Sequence, residues 1–407
     1  MNKKKIIRYS VAVVVLIALS VWVKIRWVAW FVSLPETEFS YTRVPDRITL
    51  TPGEDLLTQR TVSWRCDTVE HPSCLLLVSG NDTASYKACP ELVECRGGKD
   101  MFYHVRIDGL HADSVYSYQV KTSGNESGWY KFKMPSAGDK RRIMYIGDVQ
   151  DTIGGTSGAL FRKLYDKYSD VDFWAFGGDL IEAPVDKYWK YVFSSADTVF
   201  QTVPIVCATG NHEYIKNIYR TLDPRWTRTF VYPDNGAKWL KGRSYYVGDE
   251  NMVFIVLDTN GLQDPFTISS EYYWLRDILV QNTDKWKIVM LHHPLYSVRP
   301  KKNNYIIRNT FGPLIEKYGV HLVLQNHEHG YMRMLSPDSG KGYPVYVMSH
   351  ASPKSYKTVD RKDGAKIIPD KRMYQIIETD GNVMTFKAYD AEQDSILDVV
   401  RINKSNI

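Results

Sequence analysis

The sequence predicts an α/β protein: a larger α/β domain follows a small all-β domain, with one apolar helix at the N-terminus. Three observations carry this. Past Ile143, apolar runs alternate with helix-patterned stretches: RIMYIGD, SGALFRKLYDKY, DFWAFGGD, a helix-like stretch over 185–200, then PIVCATGNH. Between Pro35 and Met134 the runs are short, rich in β-branched and aromatic residues, and parted by Gly, Asn and Asp. Ahead of both lies one long apolar stretch. The 407 residues are 44% apolar and 24% charged, which excludes a disordered, collagenous or coiled-coil chain. A multi-span membrane protein is excluded too, because only that one stretch is long and apolar enough to consider.

The N-terminal stretch reads MNKKKIIRYSVAVVVLIALSVWVKIRWVAWF. Its uncharged run, Tyr9 to Val23, is short for a hydrocarbon core of about 30 Å at about 1.5 Å per residue. Lys24 and Arg26 can snorkel, and Trp27 and Trp30 suit an interfacial belt. Lys3, Lys4, Lys5 and Arg8 precede the run and hold the N-terminus on the cytoplasmic side. An uncleaved anchor is expected, over residues 1–34. The rival is a cleaved signal peptide, with Ala18-Leu19-Ser20 as its small-x-small site. Either way the rest of the chain is exported, to the periplasm or the cell exterior. The net charge of +6 belongs to six cations of this segment, all ahead of the first acid, Glu36. The remainder is balanced, so no nucleic-acid partner is expected.

Residues 35–136 form the expected all-β domain. TVSWRC, CLLLVSG, MFYHVRIDGL, SVYSYQVKTSG and WYKFKM have the strand-and-turn rhythm of a small sandwich. Tyr116 and Tyr118 stand where fibronectin-like sandwiches carry a corner tyrosine. Cys66, Cys74, Cys89 and Cys95 cluster here, and Cys207 stands apart in VPIVCATG. Four clustered cysteines in an exported domain predict two disulfides of open pairing. A zinc site is disfavoured because no C-x2-C spacing occurs. A polar linker, MPSAGDKRR, leads into the α/β domain, residues 137–407.

In that domain, run after run ends in Asp, Asn or His: Asp148, Asp179, Asn211-His212, His292-His293 and His327-x-His329. In open α/β sheets this edge is where ligands bind. Carboxylate, amide and imidazole donors together suit Mn, Fe or Zn. The absence of H-E-x-x-H argues against a zinc protease.

The pieces Gly147-Asp148, Gly178-Asp179, Gly210-Asn211-His212-Glu213, Val289-x-x-His292 and His327-x-His329 resemble the calcineurin-like metallophosphoesterases, nearest to the purple acid phosphatase branch and its bacterial relatives. The resemblance implies a β-sandwich core flanked by helices, preceded by a fibronectin-like domain. It implies two metal ions, divalent or trivalent (Fe, Mn or Zn), bridged by Asp179. Asp148 and His329 would hold one, and Asn211, His292 and His327 the other. It also implies hydrolysis of phosphate esters by a hydroxide between the metals, of acid phosphatase type. A phosphodiesterase or pyrophosphohydrolase is the alternative, and a catalytically inactive surface-binding protein is the alternative of another class. His212, next to a ligand, would protonate the leaving oxygen or hydrogen-bond the phosphate, unless it only props the ligands.

Three departures stand out. Glu182 occupies the position of the purple branch's tyrosine, so no purple iron chromophore is expected. Gln150 stands where many relatives carry a histidine ligand; it offers an amide oxygen to the metal or a hydrogen bond behind it. Asn326 replaces the usual Gly before His327, where its tolerance of left-handed φ would help. His293 and Arg333 are candidates for binding substrate phosphate. Asp258 and His350 also end apolar runs and are read as structural.

Overall fold

The computed structural model describes residues 3–36, 39–151, 155–196, 198–262, 264–299, 302, 304–336, 343–361 and 363–404. Helix α1 (Lys3–Phe31) buries no residue and is long and apolar enough to cross a membrane, by length and composition. It runs past Lys24 and Arg26, so its 29 residues reach about 44 Å and make up the length that Tyr9–Val23 lacks. The Trp22 and Trp30 rings meet edge to face, 4.8 Å apart.

The all-β domain has nine strands: β1 (Asp46–Pro52), β2 (Arg60–Arg65), β3 (Ser73–Ser79), β4 (Asp82–Lys87), β5 (Cys89–Glu94), β6 (Lys99–Ile107), β7 (Val115–Thr122), β8 (Asn125–Glu126) and β9 (Tyr130–Lys133). One sheet runs β1-β2-β6-β5, and the other runs β4-β3-β7 with β8 and β9 both paired to β7. Trp64, Tyr103, Leu75, Tyr118 and Val120 fill the space between them. Trp64 stacks on Tyr103 at 5.8 Å, and its indole N–H donates to Thr122, so the one polar atom of that large ring is satisfied. The Tyr116 hydroxyl accepts the His111 N–H, five residues upstream, at 3.0 Å.

All five cysteines are free thiols, which corrects the expectation of two disulfides. Cys89 and Cys95 flank the length of β5, about 20 Å apart at about 3.3 Å per residue, far beyond the 7 Å or so that a disulfide spans. Cys66 bonds Met101, which pairs with Leu92 midway along β5, so it lies a full strand away from both ends. The cysteines therefore give no support for export. Thiol counting on denatured, unreduced protein should find five, and native alkylation should begin at exposed Cys89. Burial pushes the Cys66 thiol up to about 11 and the Cys95 thiol up to about 12, which slows both.

The α/β domain begins with β10 (Arg141–Ile146), α2 (Thr156–Lys167), β11 (Phe173–Phe176), α3 (Asp186–Ala196), α4 (Val199–Thr202) and β12 (Ile205–Cys207). β13 (Tyr214–Ile215), β14 (Thr221–Leu222), α5 (Trp226–Thr229), β15 (Tyr245–Gly248), β16 (Met252–Leu257), α6 (Pro265–Gln281) and β17 (Trp286–Leu291) follow. Last come α7 (Tyr305–Lys317), β18 (Leu322–Gln325), β19 (Tyr331–Leu335), β20 (Val345–Met348), β21 (Lys366–Ile368), β22 (Met373–Asp380), β23 (Val383–Asp390) and β24 (Ile396–Asn403).

These strands make a six-stranded sheet, β12-β11-β10-β22-β23-β24, and a seven-stranded sheet, β15-β16-β17-β18-β20-β19-β21. The expected βαβ units are present: β10, β11 and β12 are parallel, as are β16, β17, β18 and β20. Strand β16 explains the layering. Met252, Phe254 and Val256 point into the core between the sheets, where Phe254 meets Phe173 at 5.3 Å. Val253, Ile255 and Leu257 point the other way, against Leu275 and Leu279 of α6 and Phe311 of α7. The sandwich core and its flanking helices thus follow from strands that are apolar on both faces. The tail hairpin turns at Gly381, as its Asp-Gly pair predicts.

The two domains meet over a polar seam. Thr51, Ser63 and Tyr118 donate hydroxyl hydrogen bonds to the carbonyls of Val231, Thr229 and Gln201. Beside them, Arg47 and Arg65 of the β-domain reach Asp186 of α3, and Glu36 reaches Arg225.

Candidate metal centre

The C-terminal ends of the two parallel strand groups bring the polar run-ends together. Asp148 follows β10, Asp179 follows β11 and Asn211 follows β12; His292 follows β17, and His327 and His329 follow β18. Four of these residues sit in the left-handed region: Asp148 at φ 42°, Asp179 at 52°, His327 at 75° and His329 at 34°. Such backbone strain clusters at functional sites. Gly178, at φ 95°, is required here, since a Cβ would meet the Gly210 nitrogen at 2.7 Å and His292 Nδ1 at 2.8 Å.

Two groups of donor atoms each lie within 4.8 Å: Asp148, Asp179 and His329, and His292, His293 and His327. Asp179 links them. Its Oδ2 is 3.3 Å from His292 Nε2, and its Oδ1 accepts the His212 N–H at 2.9 Å. Asn211 Oδ1 lies 3.2 Å from His292 Nε2. Gln150 Nε2 lies 3.4 Å from Asp179 Oδ2 and 3.3 Å from His329 Nε2. His292 and His329 are oriented from behind by the Gly177 and Lys354 carbonyls, at 3.0 and 2.7 Å from Nδ1, which turns each Nε2 into the site.

Burial tends to raise the Asp179 carboxyl, but the His292 charge beside it prevails and holds it well below the usual range. For His292 burial works against the proton, and Asp179 outweighs it, lifting the imidazole to about 9. Burial takes His327 down to about 3 and His329 to about 4, leaving both rings neutral and able to ligate.

The donor set fits metal ions. Among the described residues, Asp148 Oδ1 and Gln150 Oε1 are buried with no hydrogen-bond partner, a cost that cations between these groups would relieve. Carboxylate, amide and imidazole donors suit Mn, Fe or Zn.

The other candidates separate. His293 lies at the centre: its Nδ1 is 3.0 Å from the Thr259 hydroxyl, and its ring is 4.6 Å from that of His327. His212 Nδ1 meets the Glu182 carbonyl at 2.5 Å, and its Nε2 is 3.9 Å from Asp179 Oδ2. Arg333 is not brought in. It is committed to Asp398 of β24, at 2.6 and 3.2 Å, because β19 turns its side chain away from the strand ends. Asn326 does not take the left-handed conformation; His327 and His329 do. Its side chain instead fills the space over Gly147 and Gly177, where a Cβ would meet its amide at 1.7 and 1.9 Å. Asp258 ties Thr209 and Tyr214 together.

Sequence reasoning gave one residue of the site no role. Glu213, fully buried, accepts four backbone N–H groups, from Asp179, Leu180, Ile181 and Gly210, and so fixes the turns that carry Asp179 and Asn211. Its signal was its place in the Gly210-Asn211-His212-Glu213 piece, which by itself assigned the acid no role. His350, read as structural, stacks 5.4 Å from His329.

Tyr145 and Tyr214 hold their hydroxyls on Asn326 and Asp258. With Glu182 in the tyrosine position, iron-loaded protein should be colourless to pale. A strong visible band would show that another tyrosine reaches iron.

Residues 141–331 match the calcineurin-like phosphoesterase family, and residues 45–134 match the purple acid phosphatase N-terminal domain. Tartrate-resistant acid phosphatase type 5 of Oryctolagus cuniculus is 24% identical over 185 residues, 40% of this chain and 55% of that protein. Purple acid phosphatase 4 of Arabidopsis thaliana is 25% identical over 145 residues, 31% of this chain and 41% of that protein. The chain thus spans about half the length of the curated relatives it matches. The fold is shared with a purple acid phosphatase from yellow lupin (Lupinus luteus) at TM-score 0.72 and 16% identity, covering 90% of this chain and 75% of that one. The chain thus carries a calcineurin-like phosphoesterase domain over residues 141–331, behind a purple acid phosphatase N-terminal domain over 45–134.

Proposed function

We propose that this chain is a dimetal phosphomonoesterase of acid phosphatase type, tethered by α1 with its larger domain outside the cytoplasm. The observation that carries this is Asp179, whose carboxylate is shared between the two donor groups. Asp148, Asp179, His329 and Gln150 would hold one ion, and Asp179, Asn211, His292 and His327 the other, with His293 beside them to bind the substrate phosphate. The ions would supply Lewis-acid stabilisation of the phosphoryl oxygens and a water acidic enough to ionise near neutral pH.

The chain's own residues do the rest. His212 donates its Nδ1 hydrogen to the Glu182 carbonyl, which leaves Nε2 facing the site. Burial opposes its protonation, yet Asp179 and the Glu182 carbonyl raise its affinity for a proton above the ordinary histidine value. It is therefore suited to carry a proton at Nε2 and pass it to the departing ester oxygen, which leaves as the alcohol. Glu213 keeps Asp179 and Asn211 in register through its four N–H contacts.

The working division is a membrane segment to residue 34, a fibronectin-like domain to 136 and the catalytic domain beyond. Tyr116 bonding back to His111 supports the fibronectin-like layout. The test is hydrolysis of a phosphomonoester and a phosphodiester by the full chain, with Mn, Zn and Fe compared. Preference for the diester would replace this reading with a phosphodiesterase. Loss of metals on purification, with no activity, would favour the binding protein.

A further inference from the structure

The chain leaving α1 is fastened beside the metal centre. Ser33 Oγ accepts the Lys216 N–H at 2.6 Å, and Arg96 joins the Leu34 carbonyl to that of Pro184, each at 2.8 Å. Glu36 accepts the Asp186 N–H at 2.9 Å. Lys216 belongs to the turn between β13 and β14, a hairpin that starts directly after His212-Glu213 and closes where Asp223 N–H meets the Glu213 carbonyl. Asn217 holds this turn in shape, its Oδ1 accepting the N–H groups of Tyr219 and Thr221.

The tip presents Ile218, 69% exposed, and Tyr219, 81% exposed, between exposed Lys216 and half-buried Arg220. An aromatic and a branched apolar residue bracketed by cations is the composition of an interfacial segment. Tyr219 is three residues from Lys216, so it stands within about 11 Å of that anchor point. A helix of about 44 Å exceeds a hydrocarbon core of about 30 Å, which puts Trp27, Trp30 and the Ser33 contact at the outer headgroup layer. The hairpin tip lies within about 11 Å of that contact. Phe266, 78% exposed, and Tyr305, 64% exposed, stand in the first turns of α6 and α7, after the ends of β16 and β17. His292 follows β17 at the same sheet edge.

We propose that the β13–β14 tip docks on the bilayer that α1 spans, and that the site's substrate is a phosphomonoester carried by a lipid of that bilayer. The substrate half rests on the proposed phosphomonoesterase. His212, at the hairpin base, would then face a leaving group that stays in the membrane while inorganic phosphate departs into water.

The test uses the full chain in phosphatidylcholine vesicles containing phosphatidic acid, whose headgroup is a phosphomonoester, alongside a water-soluble aryl phosphate. Ile218→Ser with Tyr219→Ser should leave soluble-ester turnover unchanged, which reports on folding, and lower phosphatidic acid turnover about tenfold or more. Ile218→Leu with Tyr219→Phe should restore it. Equal loss on both substrates, or no loss on either, would overturn the proposal. A benzophenone amino acid at position 219 should give lipid adducts on irradiation, while one at exposed Val399 of β24 should not. Absence of adducts at 219 would overturn docking whatever the activity. A wild-type chain that hydrolyses neither ester, yet forms adducts at 219, would refute the phosphomonoesterase reading and leave docking standing.

Discussion

Asp179→Asn is expected to lower phosphoester turnover by on the order of 10³-fold or more and to reduce bound metal well below two ions per chain. The carboxylate is 1% exposed and touches both donor groups, so a neutral amide weakens both at once. The change is nearly isosteric. The Asp179 backbone N–H still meets Glu213 at 3.0 Å, and the remaining side-chain oxygen can still accept from His212. Folding should therefore survive, and the thermal transition should stay within a few degrees of wild type. Two readouts are needed: elemental analysis and turnover under saturating metal. Wild-type turnover in Asp179→Asn would refute the shared carboxylate. Lost turnover with two metals retained would instead give Asp179 an orienting role through His212.

The donor set was legible because each member ends an apolar run, and parallel strands bring such ends to one edge. The backbone that aims them was not. Asp148, Asp179, His327 and His329 take left-handed φ without being glycine, which only tertiary packing enforces. Asn326 misled in the same way: its value lies in filling the space over Gly147 and Gly177, a contact between distant parts of the chain that no local pattern encodes.

Charge partners across the chain were equally hidden. Arg333 looked free to bind phosphate because Asp398 is 65 residues away, on a strand whose pairing the sequence does not declare. In the β-domain, β4 and β5 went unread because DTASYK and CPELVE are largely exposed edge strands without apolar alternation. The same β5 lies between cysteines whose closeness in sequence had suggested pairing.

Asp186→Ala is expected to cost about 3–5 kcal/mol of stability, because it leaves buried Arg47 without its carboxylate, while Arg65 keeps Asp46 and Asp100 and Arg225 keeps Asp223 and Glu36. Arg47, Arg65 and Arg225 all address Asp186 Oδ1, and their side chains are 3%, 4% and 1% exposed. Oδ2 also accepts the backbone N–H and hydroxyl of Ser40, at 3.3 and 3.2 Å. The cluster thus locks the segment after α1, the β-domain and α3 into one unit beside the metal centre. A control separates charge from packing. Asp186→Leu with Arg47→Met should be less destabilised than Asp186→Ala if the unpaired charge is what costs.

The pH dependence has a definite sign. Burial tends to raise the Asp186 carboxyl, but Arg47 and Arg65 prevail and hold it below its ordinary value. A depressed carboxyl contributes stability that is fully present above its unfolded pKa of about 3.9 and is lost as pH falls through the lower folded value. Wild-type stability from this group should therefore persist through the mildly acidic range and fall only below about pH 4. The variant should lack that acid-side drop. Denaturant midpoints at neutral pH and below pH 4 decide it: an Asp186→Ala penalty that does not shrink on acidification would mean that the carboxylate's charge is not what holds the seam.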